Sequence, residues 1–283
     1  MPSLTSSCFE VAIDQKVAHI VFSRPEKLNS MIPEFWNDLP AIIRDIDRNA
    51  KARAIILSST GKHFTSGMDL SVFTRPEGVT GTAQDPFVRA EKFRSDIRNI
   101  QASFNALEEA RAPVIACIQG GCIGGGVDLI SACDFRYATR DAFICIQEIN
   151  IAMTADVGTF PRLCKLMPEG WVRQLAYTGE RLAAERALQL GLINEVFDTQ
   201  EAMLKHAKKV AGEIASRNPL AVTGSKVMIN YARDHSTADC LDYIGVWNAA
   251  MLAGPHMREA FAARAEKREP DFPDLLPLRD KAI

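Results

Sequence analysis

The sequence predicts an α/β fold in which strand–strand–helix units repeat through a core of residues 1–197, followed by an α-helical region over residues 198–283. Three observations carry this expectation. Short, fully apolar runs at residues 54–57 and 114–118 have the character of buried parallel strands and are separated by stretches of helical period. Each run is followed by a glycine-containing turn. Beyond Gly179 the pattern changes to successive helices separated by Gly, Asn, Pro or His.

The elements follow in order. Phe9, Val11 and Ile13 alternate with other residues, and Asp14-Gln15-Lys16 separates them from the apolar run 17–22, so the chain opens with a two-stranded hairpin. Residues 32–46 carry apolar side chains at helical spacing and lead to the strand at 54–57. Residues 74–86 are rich in Gly, Pro and Thr and are expected to form a mobile loop. Phe93, Ile97, Ile100, Phe104 and Leu107 then mark one face of a long amphipathic helix. A strand at 114–118, a turn at 120–126, a helix at 127–133 and short strands at 135–137 and 142–145 complete the core pattern. Helices are expected at 183–190, 201–216, 219–233, 237–252 and 257–267, with a boundary near 194–199. Their apolar stripes are wide enough to dock on the core or on a neighbouring subunit.

Composition narrows the function classes. A chain of 283 residues is close to the upper limit for one hydrophobic core and buries roughly three quarters of its unfolded surface. The net charge of −2 leaves no excess of positive charge to neutralise phosphates, which weighs against a nucleic-acid partner or a polybasic membrane patch. The longest uncharged run, residues 112–127, is shorter than the roughly 20 residues that span a bilayer and contains a glycine cluster. Seven cysteines, several in apolar runs, point to a reducing compartment without disulfides. Residues 1–9 lack a basic segment followed by an apolar one, and Lys281-Ala282-Ile283 is not a peroxisomal address. The cytoplasm is therefore expected, or a mitochondrion or peroxisome in a eukaryote.

Several chemistries lack their motifs. The chain has no G-x-S-x-G elbow, H-E-x-x-H, paired C-x-x-C or G-x-x-x-x-G-K-[ST]. Gly124 and Gly126 begin a dinucleotide-like pattern, but Leu129 stands where its third glycine belongs. His19, His63, His206, His235 and His256 have no ligand spacing, so no metal is expected. Asp69, Asp134 and Asp141 each follow the end of an element, where an acidic side chain commonly caps or solvates.

Two turns remain as carriers of chemistry: Phe64-Thr65-Ser66-Gly67-Met68-Asp69-Leu70, and Gly120-Gly121-Cys122-Ile123-Gly124-Gly125-Gly126-Val127-Asp128. Both follow buried strands. In α/β cores, ligands bind beyond the carboxyl ends of strands, where backbone N–H groups can converge on a negative oxygen and form an oxyanion hole.

Together with Arg24-Pro25-Glu26-Lys27-Leu28-Asn29 and the stretch 134–163, these turns occur in the order and spacing of the crotonase superfamily, which the chain resembles over nearly its whole length. The resemblance implies a crotonase-like spiral of ββα units with a C-terminal helical region that mediates assembly into trimers or dimers of trimers. It implies an acyl-CoA thioester substrate whose carbonyl oxygen is held by the N–H groups of Met68 and Gly125. Ser66, Gly67, Asp69 and Leu70 would shape the CoA-ester pocket, and residues 24–29 its nucleotide end. No metal or redox cofactor is implied, CoA being part of the substrate. Hydratases of this family carry a glutamate after the glycine run and another 20 residues on. Here those positions hold Asp128 and Glu148, and Asp156 stands where hydratases usually have a small residue. The trio Asp128, Glu148 and Asp156 is similar to that of the dienoyl-CoA isomerase subgroup, which converts 3,5-dienoyl-CoA to 2,4-dienoyl-CoA.

That reaction removes a proton at C2 and places one at C6, so two carboxyl groups must approach different points of one acyl chain. The resemblance assigns Glu148 to C2; Asp156 is then the acid at C6, the reverse order being the alternative, with Asp128 in support in the first turn of a helix. Eight residues in extended form would separate Glu148 from Asp156 by roughly 26 Å, so the chain is expected to turn back near Thr154. Ile149, Ile151 and Met153 are expected to line an apolar pocket that raises the carboxyl pKa values. The rival readings are a 2-enoyl-CoA hydratase, a 3-enoyl-CoA isomerase using Glu148 alone, and an acyl-CoA binding protein without turnover.

Overall fold

The computed structural model describes residues 6–74 and 85–278, so most of the loop expected at 74–86 lies outside the described residues. The hairpin forms as read: β1 (Phe9–Asp14) and β2 (Val17–Phe22) pair antiparallel around a tight turn at Gln15 and Lys16. From β2 the main sheet continues in parallel through β3 (Ala54–Ser59), β4 (Val114–Ile118), β6 (Phe135–Thr139) and β9 (Glu195–Phe197). Parallel neighbours require crossover connections. The helix α1 (Pro33–Arg48) links β2 to β3, and α2 (Pro86–Glu109) precedes β4. Every residue of β3 and β4 is buried, which is why both read as unbroken apolar runs rather than alternating ones.

A second sheet joins β5 (Gly121–Ile123), β7 (Phe143–Cys145) and β8 (Leu182–Ala183). Here the structure corrects the sequence reading. The segment expected as a turn at 120–126 contains β5, because Gly121–Ile123 pairs with β7 across a sequence gap that local pattern cannot reveal. The following helix, α3 (Gly125–Ser131), begins two residues earlier than expected. Gly124 precedes it with φ 54° and ψ −121°, a conformation open to glycine, and this releases the chain into the helix immediately after β5.

The helices α4 (Thr159–Leu166) and α5 (Glu169–Thr178) precede α6 (Ala184–Gln189). The C-terminal helices are α7 (Gln200–Ser216), α8 (Pro219–Ala232), α9 (Thr237–Met251) and α10 (Gly254–Glu266). α7 covers one face of the main sheet, packing Met203, Ala207 and Ala211 on Ala54, Ile56, Ile115 and Cys117. The small side chains four residues apart let the helix approach closely. The opposite face carries the larger core, where Phe22, Phe35 and Phe64 pack ring against ring beneath α1. All seven cysteines are free. Among the described residues no helix is long and apolar enough to cross a membrane.

α8 is tied to the core by a buried cation. Lys226 Nζ lies 2.9 Å from Asp134 Oδ2 and donates to the carbonyls of Leu107 (2.9 Å) and Ala112 (3.2 Å). Asp134 Oδ2 also accepts from the Val114 N–H at 2.7 Å. The expected cap at Asp134 is thus an anchor between β4 and α8. Asp134→Ala strands the ammonium away from water and is expected to lower the unfolding free energy by about 3 kcal/mol, read from the urea midpoint. Lys226→Met, which removes the buried charge itself, is expected to cost less.

Candidate active site

The site is built on the loop after β3. Asn29, 2% exposed, accepts from the Arg24 N–H (2.9 Å) and donates to the carbonyls of Thr60 (2.8 Å) and His63 (2.9 Å), stapling segment 24–29 to that loop. Residues 65–69 then run between two backbones. On one side, Ser66 N–H donates to Leu28 O (3.0 Å), Met31 N–H to Gly67 O (2.8 Å) and Asp69 N–H to Met31 O (3.0 Å). On the other side, Thr65 N–H donates to Gly121 O (3.1 Å) and accepts Ile123 N–H at its own carbonyl (3.2 Å). The two glycine-containing turns are therefore neighbouring strands over this short stretch. Gly67, at φ +84°, approaches the second turn so closely that an added Cβ would stand 2.8 Å from Ile123 O.

This arrangement leaves two amides free. Met68 N–H has no protein acceptor among the described residues, and Gly125 N–H, at the first position of α3, has no intrahelical one. Both residues line a cleft of about 750 Å3 that also includes Ser66, Gly67, Asp69 and Leu70. Asp69 is held by Ser30 Oγ (2.7 Å) and the Ser71 N–H (3.0 Å), bonds that lower its pKa to about 2. It is a fixed anion that caps the short 3-10 turn at Leu70–Val72, as the sequence suggested for it.

Asp128, Glu148 and Asp156 line the same cleft. Asp128 lies in the first turn of α3, 1% exposed, and its Oδ1 accepts the N–H of Thr159, the first residue of α4, at 2.7 Å. Burial nevertheless raises its pKa to about 6, against the bonds from Thr159 and with a further push from Asp156. Glu148 is half-buried; its Oε2 is out of contact with water and has no hydrogen-bond partner among the described residues. Burial first, then the neighbouring Asp128 and Asp156 charges, raises Glu148 to about 7. An added Cβ on Gly124 would stand 3.2 Å from Glu148 Oε1, so this carboxylate sits against the glycine turn that supplies the Gly125 amide. Asp156 is half-buried, with its pKa raised by burial. Its backbone carbonyl accepts from Gln101 Nε2 at 2.6 Å, and the backbone N–H of Asp156 itself works against the rise in its carboxyl pKa.

The chain does double back between Glu148 and Asp156, but two residues before Thr154. A 3-10 turn over Gln147–Ile151 ends at Ala152 in the left-handed region (φ 58°), and Met153 N–H returns to Glu148 O at 3.0 Å. Helical rise rather than strand rise keeps the two acids close. Ile151 and Met153 line the cleft as expected; Ile149 does not. Asp141 is exposed away from the cleft. Trp36, Gln147, Arg181 and Gln101 were not singled out from the sequence. Trp36 belongs to the apolar face of α1, stacks near Phe104 at 5.1 Å, and would be 3.5 Å from a Cβ on Gly125; its spacing marks it only as core. The Gln101 contact spans 55 residues and has no local signal.

The chain is similar to known proteins over most of its length. The profile of the enoyl-CoA hydratase/isomerase family matches residues 12–275. The peroxisomal Δ(3,5)-Δ(2,4)-dienoyl-CoA isomerase of Arabidopsis thaliana is 38% identical over 262 residues, covering 93% of this chain and 94% of the relative. The mitochondrial Δ(3,5)-Δ(2,4)-dienoyl-CoA isomerase of Mus musculus is 41% identical over 258 residues, covering 89% and 77%. Among solved structures, the enoyl-CoA hydratase of Bacillus anthracis superposes with a TM-score of 0.83 at 28% identity, covering 94% of this chain and 99% of that one.

The acid cluster sets a pH dependence of stability. Glu148 is raised from 4.5 to about 7 in the folded state, so the stability its protonation confers is full below 4.5 and is lost as pH rises through 7. Glu148→Gln, which stays neutral, is therefore expected to exceed the parent by about 3 kcal/mol at pH 8. The gap should close as pH falls toward 4.5 in parallel urea titrations.

Proposed function

The chain belongs to the enoyl-CoA hydratase/isomerase family, and from that premise we propose that it isomerises 3,5-dienoyl-CoA to 2,4-dienoyl-CoA in the oxidation of unsaturated fatty acids. The observation that carries this reading is the meeting of two unpaired amides and three carboxyl groups in one cleft. The relatives at 38–41% identity bear the name of this activity.

The thioester oxygen accepts from Met68 N–H and Gly125 N–H. Charge developing there on C2 deprotonation meets preformed donors, each worth ~3 kcal/mol in the transition state. Glu148, beside the Gly125 turn, takes the C2 proton; its pKa of about 7 makes it a base matched to neutral pH. The resulting dienolate is protonated at C6 by Asp156, which lies on the return limb of the 147–156 turn. Its raised pKa favours the protonated form that a donor requires. Asp128 supports both acids: its burial beside Glu148 opposes ionisation there, and its bond to Thr159 fixes the start of α4, three residues after Asp156. Only protons move in this reaction, so it calls for no metal and no redox cofactor, and CoA enters as part of the substrate.

A homo-oligomer, a trimer or a dimer of trimers, is the assembly we assign. α9 has no buried residue, and Leu241, Val246, Leu252 and Phe261 are each more than 60% exposed on the helices at the end of the chain. Such a face is suited to burial against another copy. The named relatives are peroxisomal and mitochondrial; those organelles, or the cytoplasm, are where the activity is to be sought.

Asp156→Asn is expected to reduce turnover of 3,5-dienoyl-CoA by at least ~100-fold, followed by the absorbance of the conjugated product, while exchange of the C2 proton into heavy water continues. Turnover at the parental rate would remove the two-carboxylate mechanism. Addition of water to 2-enoyl-CoA as the faster reaction of the parent would point to a hydratase instead, and tight acyl-CoA binding with no C2 exchange would point to a binding protein.

A further inference from the structure

Asp156 has a second side. Together with Val157 it lines the substrate cleft and also a separate cavity of about 560 Å3. The far walls of that cavity come from α2 (Asn105, Glu108), α4 (Arg162) and the end of α8 (Asn230, Arg233). Beside the apolar Ala155, Val157 and Pro161, these walls carry polar groups that hold one another. Glu108 lies between Arg162, at 2.9 Å, and Arg233. Arg162 Nη2 donates to Asn105 Oδ1 (2.7 Å), and Asn230 Nδ2 donates to Glu108 O (3.1 Å). A polar space of this size holds several water molecules. Gln101, at its edge, holds the Asp156 carbonyl and so fixes the turn that separates the two spaces.

Resting on the reading above, we propose that this cavity is the proton supply of Asp156: water within it reloads the acid from solvent after each turnover, and the proton placed at C6 does not descend from the one removed at C2. Each turnover breaks C2–H and forms C6–H, leaving Glu148 protonated and Asp156 ionised. The resting enzyme returns when Asp156 gains one proton through the cavity and Glu148 releases one to solvent as the product departs; the sum is zero. Geometry favours this route over a direct return. Asp156 lines both spaces, so an acyl chain that fills the cleft leaves the cavity as the other approach of water to this acid. Reloading can then overlap with product release.

Asn105 and Asn230 line the cavity and not the cleft. The Asn105→Leu, Asn230→Leu double variant replaces polar lining by apolar side chains of nearly equal size. In stopped-flow experiments with excess 3,5-dienoyl-CoA, its first turnover is expected at the parental rate and its later turnovers about tenfold slower. Later turnovers at the parental rate from a variant with parental circular dichroism would overturn the proposal. A second measurement uses the unmodified protein: substrate deuterated at C2, turned over repeatedly in light water, is expected to yield product without deuterium at C6. Transfer of that deuterium to C6 would overturn the proposal equally. The two readings fail separately, because Asp156→Asn tests the acid itself, whereas the ratio of later to first turnovers tests only its supply.

Discussion

Everything at the cleft depends on the short parallel contact between the loop after β3 and β5. Two hydrogen bonds, Thr65 N–H to Gly121 O and Ile123 N–H to Thr65 O, bring the glycine-containing turns side by side, 57 residues apart in the chain from Thr65 to Cys122. Thr65 also secures the contact internally: its Oγ1 donates to Asn29 O (2.7 Å) and accepts from Gly67 N–H (3.1 Å). Gly67 N–H is thereby satisfied, while the next amide, that of Met68, is left to face the cleft. On the other turn, pairing of β5 stops at Ile123 and α3 starts at Gly125, which leaves the first amide of that helix free by the geometry of helix ends. Two unpaired amides in one cleft thus result from where two pairings stop. Neither needs a dedicated side chain.

The cost of this cleft is carried by its acids. A carboxylate removed from water without a partner is unfavourable by several kcal/mol and responds by holding its proton. Glu148 Oε2 is such an atom. Among the described residues it forms no ion pair with a lysine or arginine, in contrast to Asp134 beside Lys226 and Glu108 beside Arg162 and Arg233. The fold therefore sorts its acidic residues into two groups: those neutralised by cations, which hold helices together, and those left unpaired around the substrate space. Asp69 belongs with the first group in effect, since hydrogen bonds from Ser30 and Ser71 hold it ionised.

Much of this was legible in the sequence because it is local. Strands buried on both faces leave unbroken apolar runs, and β3 and β4 were found that way; the helical spacing of Phe93 to Leu107 gave α2. The two turns were visible as glycine placed after a strand, and the acids as spacing shared with a family. What escaped depended on partners distant in the chain. β5 is a strand only because β7 and Thr65 lie beside it, and its glycine content argued for a turn. The reversal at Ala152 required a left-handed alanine, which no composition rule announces. α7 carried an apolar stripe that fitted either the core or another subunit, and its seat on the main sheet is decided by Ala207 and Ala211 meeting Ile56 and Ile115.

Asp128 shows how those levels combine. Its position after the glycine run gave it a plain structural explanation, a carboxylate favoured at a helix N-terminus. The structure doubles that role, since the same side chain meets the start of α3 through its own backbone and the start of α4 through Thr159. Two helix ends and a hydrogen bond would ordinarily lower a carboxyl pKa, yet burial outweighs them and the value rises to about 6. Its charge in turn opposes ionisation of Glu148, whose pKa burial has already raised. A residue that anchors two helices also sets the proton balance of its neighbour. The short aspartate side chain keeps that carboxylate in the wall of the cleft, bonded to the Thr159 amide.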